Sequence, residues 1–170
     1  MRVTYLTGEH VYLRPLSEAD KDVAIAWWPN PFLANAVTAH EWLTKMYRGA
    51  GNNLRWYAII RTSDDTVVGS ARLISPDQRQ GVIMFRMSPT IIDADMLQAD
   101  ALRVVVPWVQ NDLEMMVLTL LCAADEVETI TVAHALGMEE SVRFREFIAR
   151  PGYRVDQLYL AVSSAPWRTL

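Results

Sequence analysis

The sequence predicts a single mixed domain, α/β (α+β), organised around one sheet, and three observations predict it. The chain is 170 residues long with 51% hydrophobic and 21% charged residues, which supports one real core and is too apolar for disorder. Its first half alternates short β-rich runs with turn-forming clusters, and the apolar spacing then switches to a helical period near Met96. No internal repeat, linker or low-complexity segment interrupts residues 1–170, so one domain is expected to span them.

Val11 to Leu16 holds β-branched and aromatic residues and meets Pro15, which suits a short strand. Ser17-Glu18-Ala19-Asp20 then sets an acid three residues after a serine, a capping-box-like start for a helix running to Trp28 before Pro29 stops it. A second helix is expected over Ala39–Arg48, closed by Gly49 and Gly51. Leu54–Arg61, Thr66–Ile74 and Gly81–Met87 are β-rich, and Ser63-Asp64-Asp65 and Ser75-Pro76-Asp77 divide them into an antiparallel meander. From Met96 to Gln110, the residues Leu97, Ala101, Leu102, Val105, Trp108 and Val109 share one helical face, with Pro107 a warning about the last turn. Met115–Cys122 is a continuous apolar run, as a central buried strand has. Asp125–Leu136 is a fourth helix with Gly137 as its C-cap, and Arg143–Arg150 and Val155–Ser163 are final strands joined through Pro151-Gly152. The order is β-α-α-β-β-β-α-β-α-β-β.

A formal charge of −4, a pI near 5.3 and sixteen scattered Lys and Arg argue against nucleic acid as a partner. Cys122 is the only cysteine; it excludes an internal disulfide and, inside an apolar run, reads as an inert buried thiol. Met1 to His10 has no apolar stretch flanked by basic residues, and no segment approaches the ~20 apolar residues of a membrane span, so the expectation is a soluble cytoplasmic protein without a membrane partner. No C-x-x-C or H-x-x-x-H spacing is present, and no metal is expected. His134 reads as structural, and His10 and His40 stand alone.

Particular phrases then carry a resemblance. Gly8-Glu9-His10-Val11-Tyr12-Leu13-Arg14-Pro15-Leu16 with Ser17-Glu18-Ala19-Asp20, Val67-Val68-Gly69-Ser70-Ala71, and Cys122-Ala123-Ala124-Asp125-Glu126 running to Ala135-Leu136-Gly137-Met138 are among them. Arg145-Glu146-Phe147 to Leu158-Tyr159 completes the set. Together they resemble the GNAT superfamily of acyl-CoA-dependent N-acyltransferases, and most closely its RimJ/RimL-like branch of ribosomal-protein N-terminal acetyltransferases. The resemblance implies a GNAT-like fold: one mixed, mostly antiparallel sheet with splayed strands, flanked by about four helices. It also implies transfer of an acyl group from acetyl-CoA or another acyl-CoA to a primary amine of a small molecule or a peptide N-terminus.

That chemistry needs a place for the pyrophosphate, a strand edge for the pantetheine and a route for the amine proton. The family's Q/R-x-x-G-x-G/A cradle corresponds here to Asp93-Ala94-Asp95-Met96-Leu97-Gln98, with Asp100 following. Asp93 replaces the basic or amide residue, Met96 the first glycine and Gln98 the small residue. The acids complement a helix start but oppose phosphate, since unit charges ~4 Å apart repel by about 4 kcal/mol at an effective dielectric near 20. An alternative register turns the acids outward and leaves the N–H groups of Met96, Leu97 and Gln98 facing the cofactor. Phe85, Arg86 and Met87 can offer backbone groups to an extended ligand, and Arg86 could instead face a substrate carboxylate. Glu126, which aligns with a family asparagine, is the candidate general base, with Thr129 one turn later as its hydrogen-bonding partner. The alternative is that Asp125, Glu126 and Glu128 are surface acids at a helix start.

Trp27, Trp28, Trp42, Trp56 and Tyr57 fall where this family shapes its acceptor pocket; core packing or the face of a homodimer would use the same residue types. Two functions therefore stand side by side. One is an N-acyltransferase; the other is a GNAT-fold protein without acetyl-CoA binding, serving as a ligand- or partner-binding module or catalysing another reaction in the same cleft.

Overall fold

The computed structural model describes residues 6–20, 23, 35–49, 53–77 and 79–164. Eight strands form one sheet: β1 (Leu6–Thr7), β2 (Val11–Pro15), β3 (Leu54–Arg61), β4 (Val67–Ile74), β5 (Gln80–Met87), β6 (Val117–Ala123), β7 (Glu139–Arg150) and β8 (Tyr153–Ser163). Their order across the sheet is β1-β2-β3-β4-β5-β6-β8-β7. Every neighbouring pair is antiparallel except β5 with β6. The three described helices are α1 (Ala36–Gly49), α2 (Ala94–Asn111) and α3 (Val127–Ala135). The α2 crossover is what allows β5 and β6 to run parallel, since a tight hairpin joins only antiparallel strands.

The helices divide the core in two. The face of α2 formed by Leu97, Ala101, Leu102, Val105 and Val109 packs with Val11, Leu13, Ile59, Leu73, Ile83, Leu118 and Leu120 of the sheet. On the opposite side, Leu43 of α1 packs with Tyr12, Leu16, Ala58 and Ile60, joined by Trp42 and Trp56. Each fully buried Leu or Ile contributes roughly 1.5–3 kcal/mol relative to exposure, so the α2 side holds most of the stability.

Local chemistry explains the boundaries. The Asp20 carboxylate accepts the Ser17 N–H at 2.8 Å and its hydroxyl at 3.0 Å, the acid half of a capping box, and residues 18–20 form a 3₁₀ turn. The rest of the helix expected to Trp28 lies outside the described residues apart from Val23. Helix α1 starts at Ala36 rather than Ala39, because Asn35 caps it by accepting the Thr38 N–H at 2.9 Å. Helix α2 starts at Ala94, two residues before the apolar period is visible, and runs through Pro107. At the end of α3, Gly137 has φ 82°, and the Gly137 and Met138 N–H groups return to the His134 and Ala133 carbonyls at 2.9 Å each. This is a Schellman closure, as the C-cap expectation required.

Strand β7 begins at Glu139, four residues earlier than expected, and forms the sheet's outer edge. Its pairing with β8 jumps between Phe144 and Ile148. Asp156 fills the jump by accepting the Glu146 N–H at 2.9 Å, and Glu146 itself has φ 49°. An edge broken in this way is a poor template for further strands.

Candidate functional site

The parallel ladder between β5 and β6 runs from Gln80↔Val117 to Met84↔Leu121 and stops. Both strands continue, β5 to Met87 beside β4 and β6 to Ala123 beside β8. They therefore splay, and Phe85, Arg86 and Met87 turn a strand edge without a β6 partner toward the gap. A cavity of about 430 Å³ occupies it, walled by those three residues, by the start of α2 and by Asp125, Glu126 and Arg150. Two larger depressions, of about 580 and 810 Å³, lie toward the opposite ends of β5 and β6, and their charged linings, such as Asp77, Arg79 and Glu114, are exposed. The smaller cavity gathers the partly buried carboxylates Asp95 and Glu126 beside the splayed strands and is the candidate site.

Side chains stitch the starts of α2 and α3 together. Asp95 accepts the N–H of Glu128 at 2.8 Å and of Thr129 at 3.0 Å, and the Thr129 hydroxyl at 2.6 Å. Those are the N–H groups that a helix's own N-cap usually satisfies, so an acid on α2 caps α3. Glu126, at the N-cap position of α3, makes no side-chain cap bond there. Its carboxylate turns back to the Ala123 N–H at 3.2 Å and receives the Gln98 amide at 2.8 Å. The same amide reaches the Thr129 hydroxyl at 3.2 Å. Gln98 is only 4% exposed and Thr129 fully buried.

Burial holds the Glu126 carboxyl above the usual glutamate range; the bonds from Gln98 and Ala123 and the charge of Arg150 oppose it, and Asp95 reinforces it. Arg150 is engaged elsewhere: its Nε and Nη2 donate to the two oxygens of Asp125 at 2.8 and 2.9 Å, while Glu126 Oε1 stands 3.8 Å away. That fork holds Asp125 below the ordinary carboxylate range. Glu126 Oε1 is thus the carboxylate oxygen at the cavity without a donated hydrogen bond among the described residues.

The sequence expectations sort clearly on this geometry. Glu126 and Thr129 are brought together, but they share the Gln98 amide rather than bonding each other. Phe85, Arg86 and Met87 line the cavity. Leu97 and Gln98 do not present free N–H groups, while Met96 does: α2 starts earlier, the Leu97 N–H is bonded to the Asp93 carbonyl at 3.0 Å, and the Leu97 side chain is in the core. The donors ahead of the first intrahelical bond belong to Ala94, Asp95 and Met96. Asp100 leaves the site altogether, since it is 2% exposed and accepts the N–H groups of Glu9, His10 and Val11 at 3.3, 2.7 and 3.0 Å. Asp93 makes no cap bond, and its nearest cation is Arg61 at 3.9 Å. Trp56 and Tyr57 part to opposite faces: Trp56 meets Trp42 edge-on at 5.3 Å, whereas Tyr57 is core, edge-on to Trp108 at 5.7 Å. Trp27 and Trp28 lie outside the described residues. Cys122 is buried, and burial pushes its thiol up to about 12. The sequence reading missed Asp95 as a cap and Arg150 as a wall of the cavity.

The open β5 edge fits an extended amide-bearing arm such as pantetheine. The start of α2 does not fit a diphosphate, because the Gln98 side chain crosses toward α3, Asp95, Asp125 and Glu126 outnumber Arg86 and Arg150, and no glycine lets a phosphate approach the backbone. Among the described residues, no group of three or more His, Cys, Asp or Glu is placed to hold a metal ion, and no helix is long and apolar enough to cross a membrane.

Residues 10–139 match the family model for the acetyltransferase (GNAT) domain. The chain belongs to the GNAT acetyltransferase family. A solved structure from Sphaerobacter thermophilus, described as an acetyltransferase, is 40% identical over 96% of this chain and 100% of its own, with a TM-score of 0.78. A GNAT acetyltransferase from Bacillus anthracis (11% identity, 93% and 97% covered, TM-score 0.69) shares the fold. So does a ribosomal-protein-S5-alanine acetyltransferase from Vibrio fischeri (13% identity, 98% and 99% covered, TM-score 0.68). Among curated proteins, none matches this GNAT sequence.

Proposed function

We propose that this GNAT-family protein has given up the diphosphate end of the acyl-CoA site and uses the cleft between β5 and β6 for a small ligand without a nucleotide diphosphate. One observation carries the reading: the Gln98 amide, bonded to Glu126 and Thr129, lies across the helix start where a phosphate would need backbone N–H groups. Glu126 Oε1 is the acceptor offered to such a ligand. Its burial and upward-shifted pKa suit it to take a hydrogen bond or a proton from an amine.

A second reading is favoured by the splay itself. The free edge of Phe85–Met87 matches what an acyl-CoA arm needs, and family membership supports acyl transfer in general. Under it, acetyl-CoA or another acyl-CoA donates to a primary amine of a small molecule or protein N-terminus. The phrases at Gly8–Asp20 then point to the RimJ/RimL-like branch.

Calorimetry with acetyl-CoA separates the two. No binding to the unaltered protein, regained in an Asp93→Gln, Met96→Gly, Gln98→Ala variant, is expected. Tight binding by the unaltered protein would overturn the first reading and install the second.

A further inference from the structure

The α1 side of the same strands carries a second group of polar and charged side chains, which shares only Arg86 with the cleft. Alternation along β3, β4 and β5 sets Trp56, Ser70, Arg72 and Arg86 on the face where Trp42 and Leu43 pack. Trp56 pairs with Arg72 and Ser70 with Arg86, so the four form one patch with neighbours ~5 Å apart. The Arg72 guanidinium lies over the Trp56 ring, 5.3 Å from its centre. Its Nε is buried and bonded to nothing, and the Trp56 Nε1 and Ser70 Oγ are buried without partners too. Ser70 is 1% exposed. Neither arginine meets a carboxylate among the described residues; burial and then the like charge of Arg86 hold the Arg72 guanidinium below its ordinary range.

Buried donors without acceptors are rare because each forfeits its hydration for nothing. Three such donors on one face of the sheet, beside two arginines that meet no carboxylate among the described residues, are a set that an anion would satisfy. The Trp56 ring and the fully buried Ala58 wall the patch with apolar surface, which suits a planar carboxylate on an organic body better than a tetrahedral phosphate needing donors all round. We propose that Arg72, Arg86, Ser70 and Trp56 form a binding site for the carboxylate of a small organic acid. Arg72 and Arg86 supply the charge, Ser70 Oγ and Trp56 Nε1 supply the remaining donors, and Arg86, which also lines the 430 Å³ cavity, connects the site to the cleft.

The test is a titration of the full chain with sodium benzoate, followed by ¹H–¹⁵N NMR at the Arg72 Nε–H and Trp56 indole N–H, with benzamide and inorganic phosphate as counter-probes. Benzoate should move both resonances along a saturable curve while benzamide and phosphate leave them in place. Arg72→Gln and Arg86→Gln should each weaken benzoate binding about tenfold or more, the loss of one charge-assisted hydrogen bond. Arg86 is exposed, so its variant tests the site even where Arg72→Gln perturbs folding. No movement, equal movement with benzamide, preference for phosphate, or unaltered binding in the Arg86 variant would each overturn the proposal. No acyl donor is present, so failure here leaves the reading of the cleft standing, and the reverse holds for acetyl-CoA calorimetry.

Discussion

Removing the Asp100 carboxylate should cost stability and leave the cleft alone. Asp100 is 2% exposed and receives three backbone N–H groups from the turn into β2. In Asp100→Ala the Val11 N–H, on a residue with no exposed surface, keeps no acceptor, which costs roughly 1–3 kcal/mol, and the charge-assisted bonds to Glu9 and His10 are replaced by water. About 3 kcal/mol in total is expected, a large share of the 5–15 kcal/mol of an ordinary domain. Gly8 gives an internal control. A Cβ there would stand 2.6 Å from Asp100 Oδ2, the oxygen that holds His10 and Val11, so Gly8→Ala alone should destabilise by about 2 kcal/mol. With Asp100→Ala already made, the obstruction is gone, and Gly8→Ala should be neutral or slightly favourable through the unfolded chain. Equilibrium unfolding in urea at pH 7 reads all four proteins of the cycle. An Asp100→Ala protein within about 0.5 kcal/mol of the parent, or a Gly8→Ala cost equal in both backgrounds, would refute the reasoning.

Two further outcomes follow from the stitch between α2 and α3. The Glu126 carboxyl is held above the ordinary glutamate range in the folded protein, so folding takes up protons there; stability falls as pH rises from the ordinary glutamate value of 4.5 through the folded value and stays lowered beyond. Glu126→Gln keeps an acceptor for Gln98 and should flatten that part of the Tm-versus-pH curve, gaining at neutral pH and not below pH 4 or so; an unchanged curve would count against a buried Glu126. Asp95→Ala removes the cap of α3 and should cost about 1–2 kcal/mol, with hydrogen exchange of the Glu128 and Thr129 amides accelerating first; protection of both amides equal to the parent would contradict the cross-cap.

The fold was largely legible because its signals are local. Period-two alternation over Leu54–Arg61, the helical face from Leu97 to Val109 and the glycine at Gly137 each state their structure within a few residues. The same alternation also shows that Trp56 and Tyr57 face opposite ways, a consequence the functional reading overlooked by grouping aromatics by proximity in sequence. The site was less legible because its partners are distant: Asp95 meets Thr129 across 34 positions and Asp100 meets His10 across 90. Three aspartates in one short segment look alike in sequence. In the structure Asp95 caps another helix, Asp100 anchors a turn and Asp93 stays half-exposed. The missing glycines, by contrast, were plain in the sequence, and their consequence at the start of α2 is visible in Gln98.

The single parallel seam also orders the assembly of the molecule. Strands β2 to β8 on either side of it pair antiparallel with near neighbours in the sheet, and β3, β4 and β5 close through short turns. The seam between β5 and β6 forms only after the whole α2 crossover has folded back, a contact with a greater loop-closure cost and a slower rate. The cleft is therefore completed when the two halves dock, and exists in neither half alone. A compound seated there binds the native state and not the partly folded one, and shifts the equilibrium toward the native state by mass action. Ligands of this cleft should accordingly behave as pharmacological chaperones, recoverable from thermal-shift screens of the intact chain before any reaction has been assigned.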